Sequence, residues 1–426
     1  MLSVPLTTSK FPAEIYRLTN GLTVIHQHLP ATPAVVVDVW VRAGASTEPN
    51  EWSGMAHFLE HMIFKGTEQL PTGMFDALIE SRGGMSNAAT SHDYAHFFMT
   101  IAAQYLEDTL PAVADLLLHP TLPEEEFVRE RDVVLEEIRS CYDNPDWLGF
   151  QSLSENVYQR HPYGRPILGT EEQLMERSPQ EMRCFHATHY QPENMTVVIV
   201  GGVEKESALN LVNQSFQHFP QRAEGPKLVA EAEPPITGIR RQELYLPRIE
   251  QARLLMAWIG PGVDHLSDAY GLDLLSVLLA DGRSSRLVRD LREDLRLVQH
   301  ISSGFSLQRD SSLFTISASL DPQHLDAVEE MISDRLFQLQ RTPVSETELG
   351  RCQRLLCNDY TFSTEAASQI AGLYGYYNTI ATAELAVTYP HQIQRLNALD
   401  LTHLAQQYLS PYHYAVTVLK PMTGDW

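Results

Sequence analysis

Residues 53–66 read Ser-Gly-Met-Ala-His-Phe-Leu-Glu-His-Met-Ile-Phe-Lys-Gly, a stretch that predicts a helix of about three turns. Ser53 can cap its start and Gly66 can end it. At about 100° per residue, one side of this helix carries His57, Glu60, His61 and Phe64. The opposite side is apolar and is expected to pack into a core; it carries Met55, Phe58, Leu59 and Met62. The two imidazoles are therefore predicted to point together into open space with a carboxylate between them.

Two histidines one helical turn apart, His57 and His61, can each bring a nitrogen to a single zinc ion. The pattern H-x-x-E-H is the reversed zinc-peptidase helix of the inverzincins. Such a site needs a third ligand, a free position for water and a carboxylate that takes the proton of that water. Glu60 is predicted for this last role. The alternative is that both histidines lie on a solvated helix face without a metal.

The size and composition of the chain limit its class. Its 426 residues, 43% of them hydrophobic, suffice for two or three packed domains. No apolar run approaches the ~18–20 residues of a membrane span. The first residues lack a basic start followed by an apolar core, so no signal peptide is predicted. Four irregularly spaced cysteines favour reduced thiols and a cytoplasmic location.

The net charge of −23 excludes most nucleic-acid partners, because phosphate backbones require a basic surface. The same charge would favour basic peptides if the acidic groups line a cavity. Solubility explains it equally well.

Patterns along the chain predict further elements. We expect strands at 22–29, 34–44, 85–101 and 195–202, and helices at 71–81, 104–118, 123–140, 147–160 and 171–187. In the stretch 85–101, two sets of residues alternate and predict a more polar and a less polar face: Tyr94, His96, Phe98 and Thr100 against Ala95, Phe97, Met99 and Ile101.

Residues 218–237 have the best linker composition, with several prolines near the midpoint of the chain. The two halves also echo one another. From Ser178 and from Ala398, a helix that ends in an aromatic residue is followed by a proline and then by a strand. We therefore predict an α+β fold with two homologous domains, 1–217 and 238–426, of which the second lacks H-x-x-E-H.

The helix predicted at 123–140 offers the missing acid. Glu130 and Glu137 are seven residues apart and lie within about 20° of the same face. Val133 and Val134 flank that face, and a partly buried carboxylate among valines needs a partner such as a metal. Glu137 is the predicted third ligand, and Glu130 the predicted support for a ligand or a water. A solvated acidic helix is the alternative.

The chain resembles the pitrilysin-type zinc peptidases, and most of all their short two-domain members related to the mitochondrial processing peptidase. Four blocks carry the resemblance: His57-Phe-Leu-Glu60-His61, then Glu137 at 76 residues after His61 with Glu130 as the second acid, Gly83-Gly-Met-Ser-Asn87-Ala88-Ala-Thr90, and His161-Pro-Tyr-Gly-Arg-Pro-Ile-Leu-Gly169-Thr. The resemblance covers residues 20–200, and the internal repeat extends it to the C-terminus.

The resemblance implies a zinc endopeptidase with one Zn²⁺ per chain on His57, His61 and Glu137. Zinc binds and acidifies a water, and Glu60 takes its proton and later delivers it to the leaving amine. Glu130 is implied as a supporting catalytic residue.

The resemblance also implies the fold and the substrate. Each domain is expected to be a mixed, mostly antiparallel sheet with helices packed mainly on one face. Peptides or presequence-like segments would lie extended in a dimer chamber and add a strand beside Asn87 and Ala88. Asn87 is otherwise explained as a turn residue beside two glycines.

One departure concerns the second domain, where the family supplies an arginine and, seven residues later, a tyrosine that grip the substrate and the reacting carbonyl. Here Arg292 is present, but Gln299 stands in the place of the tyrosine. A helix surface charge explains Arg292 equally well. Because relatives of this length form dimers, we expect a heterodimer with a homologous subunit that lacks the zinc motif. A homodimer that tolerates Gln299 is the alternative.

A second interpretation of the function is a non-catalytic scaffold subunit of a larger complex. Relatives of that kind usually lose the metal ligands, whereas this chain retains them.

Overall fold

The computed structural model describes residues 11–226, 228, 230–247 and 249–422. The outermost parts of both predicted domains, 1–10 and 423–426, lie outside the described residues, as do two positions of the predicted linker. Strands in the described residues form two sheets, one in each half of the chain. The predicted α+β class is confirmed.

The first sheet has six strands: β1 (Glu14–Arg17), β2 (Thr23–His28), β3 (Ala34–Val41), β4 (Met85–Thr90), β5 (Ala95–Ala102) and β6 (Met195–Gly201). Their order is β1-β2-β6-β3-β5-β4, and only β2 and β6 run parallel. The last strand of this order, β4, therefore forms one edge of the sheet.

Eight helices accompany this sheet in the described residues: α1 (Met55–Ile63), α2 (Met74–Glu80), α3 (Leu106–Leu118), α4 (Glu124–Tyr142), α5 (Pro145–Val157), α6 (Glu171–Met175), α7 (Pro179–His189) and α8 (Lys205–Ser215). Two predictions were wrong in detail. The stretch 85–101 is a hairpin rather than one strand, because a turn closes where the Ser91 N–H donates to the Tyr94 carbonyl at 2.7 Å. The helix predicted at 171–187 is split, since Ser178 caps a new helix in a capping box with Glu181.

The second sheet contains β7 (Ile239–Leu246), β8 (Ala252–Pro261), β9 (Val298–Ser306), β10 (Ser311–Leu320) and β11 (Tyr414–Pro421). Its order is β7-β11-β8-β10-β9, with β7 and β11 parallel. This order repeats β2-β6-β3-β5-β4 of the first sheet strand for strand. The prediction of two homologous halves, each with a mixed and mostly antiparallel sheet, is confirmed.

The helices of the second half are α9 (Leu266–Ala280), α10 (Leu325–Arg341), α11 (Glu346–Phe362), α12 (Ala367–Ile380), α13 (Leu385–Arg395) and α14 (Ala398–Tyr408). A π-helical segment, Val288–Asp294, precedes β9. No helix in the described part of the chain is both long enough and apolar enough to cross a membrane.

Each half sends one helix onto the sheet of the other. Leu153 and Val157 of α5 pack in one cluster with Ala257 and Ala415 of the second sheet. Apolar residues of α12 pack in another cluster with the first sheet: Ile370, Ala371 and Tyr374 with Ile25, Val36 and Val198. The other face of each sheet carries the larger core with most of the helices. Helices therefore lie mainly on one face, as predicted, and the exchange joins the two halves.

The described residues between 217 and 238 form no helix or strand. They are nevertheless attached to the first half. The side chain of Glu233 is buried. Its carboxylate accepts hydrogen bonds from the N–H groups of Arg160 at 2.8 Å and His161 at 3.2 Å. The composition of this segment indicated a linker but not this anchoring. The domain limits at 217 and 238 stay a prediction.

Candidate metal centre

The helix that carries the H-x-x-E-H motif is shorter than predicted. It runs over Met55–Ile63 rather than 53–66, because Gly54, and not Ser53, forms its N-cap with φ +90°. Only glycine adopts this conformation readily. A Cβ at Gly54 would also lie 2.5 Å from the Leu168 carbonyl oxygen, so the block from His161 to Thr170 packs directly against the start of α1.

Glu48 supplies the cap that Gly54 cannot. Its buried carboxylate accepts the N–H groups of Gly54 at 3.0 Å and Ala56 at 2.7 Å. Burial raises the pKa of Glu48 to about 8, although both N–H groups oppose this shift. The apolar side of α1 is fully buried as predicted: Met55, Phe58, Leu59 and Met62. The helix is thus fixed at its start and along one whole side.

His57, His61 and Glu137 converge across α1 and α4. His57 Nε2 lies 3.7 Å from Glu137 Oε1, and His61 Nε2 lies 3.5 Å from Glu137 Oε2. The three ligand atoms all lie within 4.8 Å of one another. Two ligands of a tetrahedral zinc, each at about 2.0–2.1 Å from the metal, are about 3.4 Å apart. The spacing and the His₂Glu donor set therefore fit a catalytic zinc site.

The protonation of these groups also suits a metal. Burial, followed by the neighbouring His61, lowers the pKa of His57 to about 4, so its imidazole is neutral at pH 7. A hydrogen bond from His61 lowers the pKa of Glu137, which keeps it a carboxylate. Burial lowers the pKa of His61, but hydrogen bonds with Glu137 and Glu130 raise it overall. A metal must therefore compete with a proton at His61, and we expect affinity to fall in acid.

The surroundings of the ligands differ from the predicted ones in two ways. His57 is only 9% exposed, so the imidazoles do not point into open space. Val133 is exposed while Val134 is buried, and the Glu137 side chain is 40% exposed. The partners of Glu137 are therefore the two imidazoles rather than an apolar lining of valines.

Glu130 lies behind His61 and not among the ligand atoms. Its Oε1 is 2.9 Å from His61 Nδ1, and its Oε2 pairs with Lys65. The residue is buried. A carboxylate at Nδ1 fixes the tautomer that leaves Nε2 free for a metal. The structure thus places Glu130 where a support for a ligand belongs.

Replacing Glu130 with Gln is expected to weaken zinc binding about 10- to 100-fold, the usual cost of losing such a second partner of a ligand. The neutral amide oxygen still accepts the His61 N–H, but the hydrogen bond is weaker because the negative charge of the carboxylate is gone. Competition with a fluorescent zinc chelator measures the change. Glu125→Gln, on the same helix with a 77% exposed side chain, is the matched control. Equal affinities in both variants would contradict a supporting role.

Glu60 lies on α1 with the two histidines, but its carboxylate is not part of the group formed by His57, His61 and Glu137. Its Oε2 accepts a hydrogen bond from Thr90 Oγ1 at 2.5 Å. Burial raises the pKa of Glu60, and the Thr90 hydroxyl and the nearby His61 oppose the rise. A carboxyl group with a raised pKa can both take and return a proton close to neutral pH.

Strand β4 passes this site as the outer strand of the sheet. In the described residues, β4 pairs with β5 on one side and with no strand on the other. Asn87 is exposed and Ala88 is half-buried; the Asn87 side chain accepts the N–H of Ala88 at 2.9 Å. The free edge can therefore receive another extended chain.

An apolar cleft lies between this edge and the end of α1. Asn87 borders it, and the other lining residues include Phe64, Phe75, Phe97, Val113 and Leu117. Phe64, the C-cap of α1, connects this small apolar pocket to the end of the motif helix.

In the described residues, Arg292 forms no hydrogen bond or ion pair with the candidate ligands His57, His61 and Glu137. It lies in the π-helical segment and pairs with its neighbour Glu293 at 2.7 Å. Gln299 is exposed on β9, the edge strand of the second sheet. The contacts among the described residues therefore connect neither Arg292 nor Gln299 to the candidate metal centre.

Three residues of the site were missed from the sequence. Thr90 was part of the quoted G-G-x-x-N-A-x-T block, but no role was inferred for it. Lys65, two residues beyond the end of α1, offered no signal beyond its charge. Glu48 looked like an ordinary loop carboxylate, since only the folded chain brings it to the start of α1.

Comparison with known proteins follows the same division of the chain. Residues 23–171 match the family model described as insulinase (peptidase family M16), and residues 178–356 match the model described as peptidase M16 inactive domain. An uncharacterized zinc protease of Mycobacterium leprae is 31% identical over 340 residues, which cover 78% of this chain and 74% of that protein. The chain belongs to peptidase family M16. The resemblance to pitrilysin-type peptidases is thereby confirmed.

Other M16 relatives cover nearly the whole chain. Zinc protease PqqE of Helicobacter pylori is 29% identical over 414 residues, 96% of this chain and 93% of that protein. The crystal structure of a protease from Helicobacter pylori matches with a TM-score of 0.90 at 29% identity, covering 96% and 99% of the two chains. A peptidase M16 inactive domain from Pseudomonas fluorescens has a TM-score of 0.87 at 20% identity, which shows the shared fold.

Proposed function

We propose that this M16 chain is a zinc-dependent endopeptidase that uses Glu60 as its general base. The observation that carries the proposal is the convergence of His57, His61 and Glu137 beside a buried carboxylate and a free sheet edge. Relatives whose names include zinc protease support it.

The protein groups have distinct tasks in this mechanism. His57, His61 and Glu137 would hold the zinc ion, which would supply a Lewis acid and lower the pKa of a bound water. Glu60 accepts the proton of the attacking water on its carboxylate and returns it to the leaving amine. Glu130 keeps His61 in the orientation that leaves Nε2 free, since it holds Nδ1.

The substrate is proposed to bind as an additional strand on β4. Backbone hydrogen bonds to the edge then give affinity without sequence specificity, and side chains alternate between two faces. Asn87 and Ala88 lie in the middle of this edge. The net charge of −23 favours peptides with a positive charge.

The assembly proposed is a dimer that encloses the substrate. Arg292 pairs with Glu293 and is not joined to the metal ligands, while Gln299 replaces the expected tyrosine. A homologous subunit without the zinc motif could contribute the missing phenol, so a heterodimer is preferred to a homodimer. A non-catalytic scaffold is less consistent with the residues, because such a subunit does not need His57, Glu60, His61 and Glu137 together.

Digestion of a mixture of unstructured basic peptides tests the bond that is cut. Mass spectrometry is expected to find new internal termini with the wild-type chain. Cleavage should stop after a chelator removes zinc and return when zinc is added. Intact peptides in the presence of bound zinc, with the chain alone and with a candidate partner subunit, would contradict the proposed function and favour a scaffold.

A further inference from the structure

We propose that Thr90 is a positioning residue for Glu60: its hydroxyl orients the catalytic carboxylate from the same strand that receives the substrate. The inference rests on the proposed function and deepens it. Thr90 Oγ1 donates to Glu60 Oε2 at 2.5 Å, and this is the one hydrogen bond that the Glu60 side chain makes with the described residues.

The orientation of a general base matters because it must face both the water and the leaving amine. Glutamate has three side-chain torsions, so a carboxylate without a partner samples several orientations. Thr90 restrains one oxygen and leaves Oε1 free. A β-branched residue in a strand is itself stiff at χ1, so the hydroxyl has a defined direction.

The backbone that carries Thr90 is fixed by the loop that precedes α1. Ala45 N–H donates to the Ser91 carbonyl at 3.0 Å, and Ser46 N–H donates to the His92 carbonyl at 2.8 Å. Gly44 allows this approach, since a Cβ there would lie 2.3 Å from the His92 carbonyl oxygen. The turn that follows Thr90 is therefore held against the loop that leads to α1.

The second half of the chain holds the same turn through Asp93. This buried carboxylate accepts the Tyr163 hydroxyl at 2.7 Å and the Arg309 N–H at 3.0 Å. Arg309 lies between β9 and β10, in the half that has no zinc motif. The second half thereby helps to hold the turn that follows Thr90.

A peptide that adds to β4 would thus take its pairing register from the strand that also orients Glu60. Strand β4 would then determine both where the cleaved bond lies and how the Glu60 carboxylate is oriented. This arrangement predicts that the Thr90 hydroxyl affects turnover rather than the binding of substrate or zinc.

Two variants separate the hydroxyl from the shape of the side chain. Thr90→Val keeps the β-branch and removes the donor, whereas Thr90→Ser keeps the donor. Thr90→Val is expected to lower kcat about 10- to 100-fold, on the order of the cost of a 1 Å misplacement. KM and zinc affinity should stay within about twofold, and Thr90→Ser should retain kcat within about threefold. Thr100→Val on β5 is the matched control, since the Thr100 hydroxyl makes no hydrogen bond in the described residues.

A crystal structure of Thr90→Val adds a readout that does not depend on activity. The Glu60 carboxylate should leave its wild-type orientation while the backbone of α1 stays in place. An unchanged carboxylate, unchanged kcat, or losses confined to KM or zinc affinity would each overturn the proposal. An inactive wild-type enzyme would instead contradict the proposed function, and the crystallographic comparison would still decide the role of Thr90.

Discussion

Replacing Glu60 with Gln is expected to abolish measurable turnover while leaving zinc bound. The amide has nearly the same shape but cannot take a proton, and general-base catalysis contributes about 10²- to 10⁴-fold. The three converging ligand atoms belong to other residues, so the metal site itself is unchanged. The measurement is kcat on a fluorescence-quenched peptide, together with the zinc content per chain by elemental mass spectrometry.

The zinc content makes this result interpretable. A variant that loses both activity and zinc would show that Glu60 supports the site rather than the proton transfer. Retained activity with zinc in place would mean that another group is the base. Because the side-chain amide of the Glu60→Gln variant can still accept a hydrogen bond from Thr90, the packing between α1 and β4 should be preserved. The melting temperature should therefore stay close to wild type.

Replacing Glu137 with Ala is expected to remove zinc. It deletes one of three ligands, and the loss in affinity should exceed the about 10- to 100-fold expected for supporting residues such as Glu130. The Glu137 side chain is 40% exposed and lies on the surface of α4, so its removal should not unfold the chain. Isothermal titration of zinc into the metal-free variant measures the effect.

Glu136→Ala is the control for this substitution. It changes the adjacent residue on the same helix, whose side chain is 73% exposed and pairs only with Arg139 among the described residues. Zinc affinity should be unchanged in the control. If Glu137→Ala also bound zinc as the wild type does, the third ligand would have to be sought elsewhere in the chain.

Much of the candidate metal centre was predictable because its residues follow local periodicity. His57 and His61 are one turn apart on a helix whose other side is apolar, and that pattern alone predicts two nitrogens on one face. Glu137 was predicted from the face that it shares with Glu130 and from the flanking valines, and the resemblance to a known family supported this choice among the many carboxylates of an acidic helix. The structure brings these three side chains together, as the sequence predicted.

The parts that could not be predicted depend on contacts distant in sequence. The start of α1 is set by the left-handed Gly54 and by the buried carboxylate of Glu48, neither of which follows a helical pattern. The exchange of α5 and α12 between the halves joins surfaces that are far apart in sequence, beyond the reach of any local signal. The hairpin turn at Ser91 was obscured by strand-forming residues on both sides.

The second half repeats the fold of the first half and packs against it, although it lacks the H-x-x-E-H motif. Its edge strand β9 occupies the position that β4 holds in the first sheet. Through Arg309 and α12 it also packs against the half that carries the site. The second half can therefore support the candidate metal centre structurally, and the proposed function needs one such centre per chain.

The most direct test of the central claim is a titration of zinc into the metal-free chain, with bound zinc and peptide cleavage measured in the same samples. We predict that cleavage of a quenched basic peptide rises in proportion to bound zinc and saturates at one zinc per chain. Cleavage that does not depend on zinc would contradict the proposed function. Full zinc occupancy without cleavage, both for the chain alone and after addition of a candidate homologous subunit, would contradict it as well.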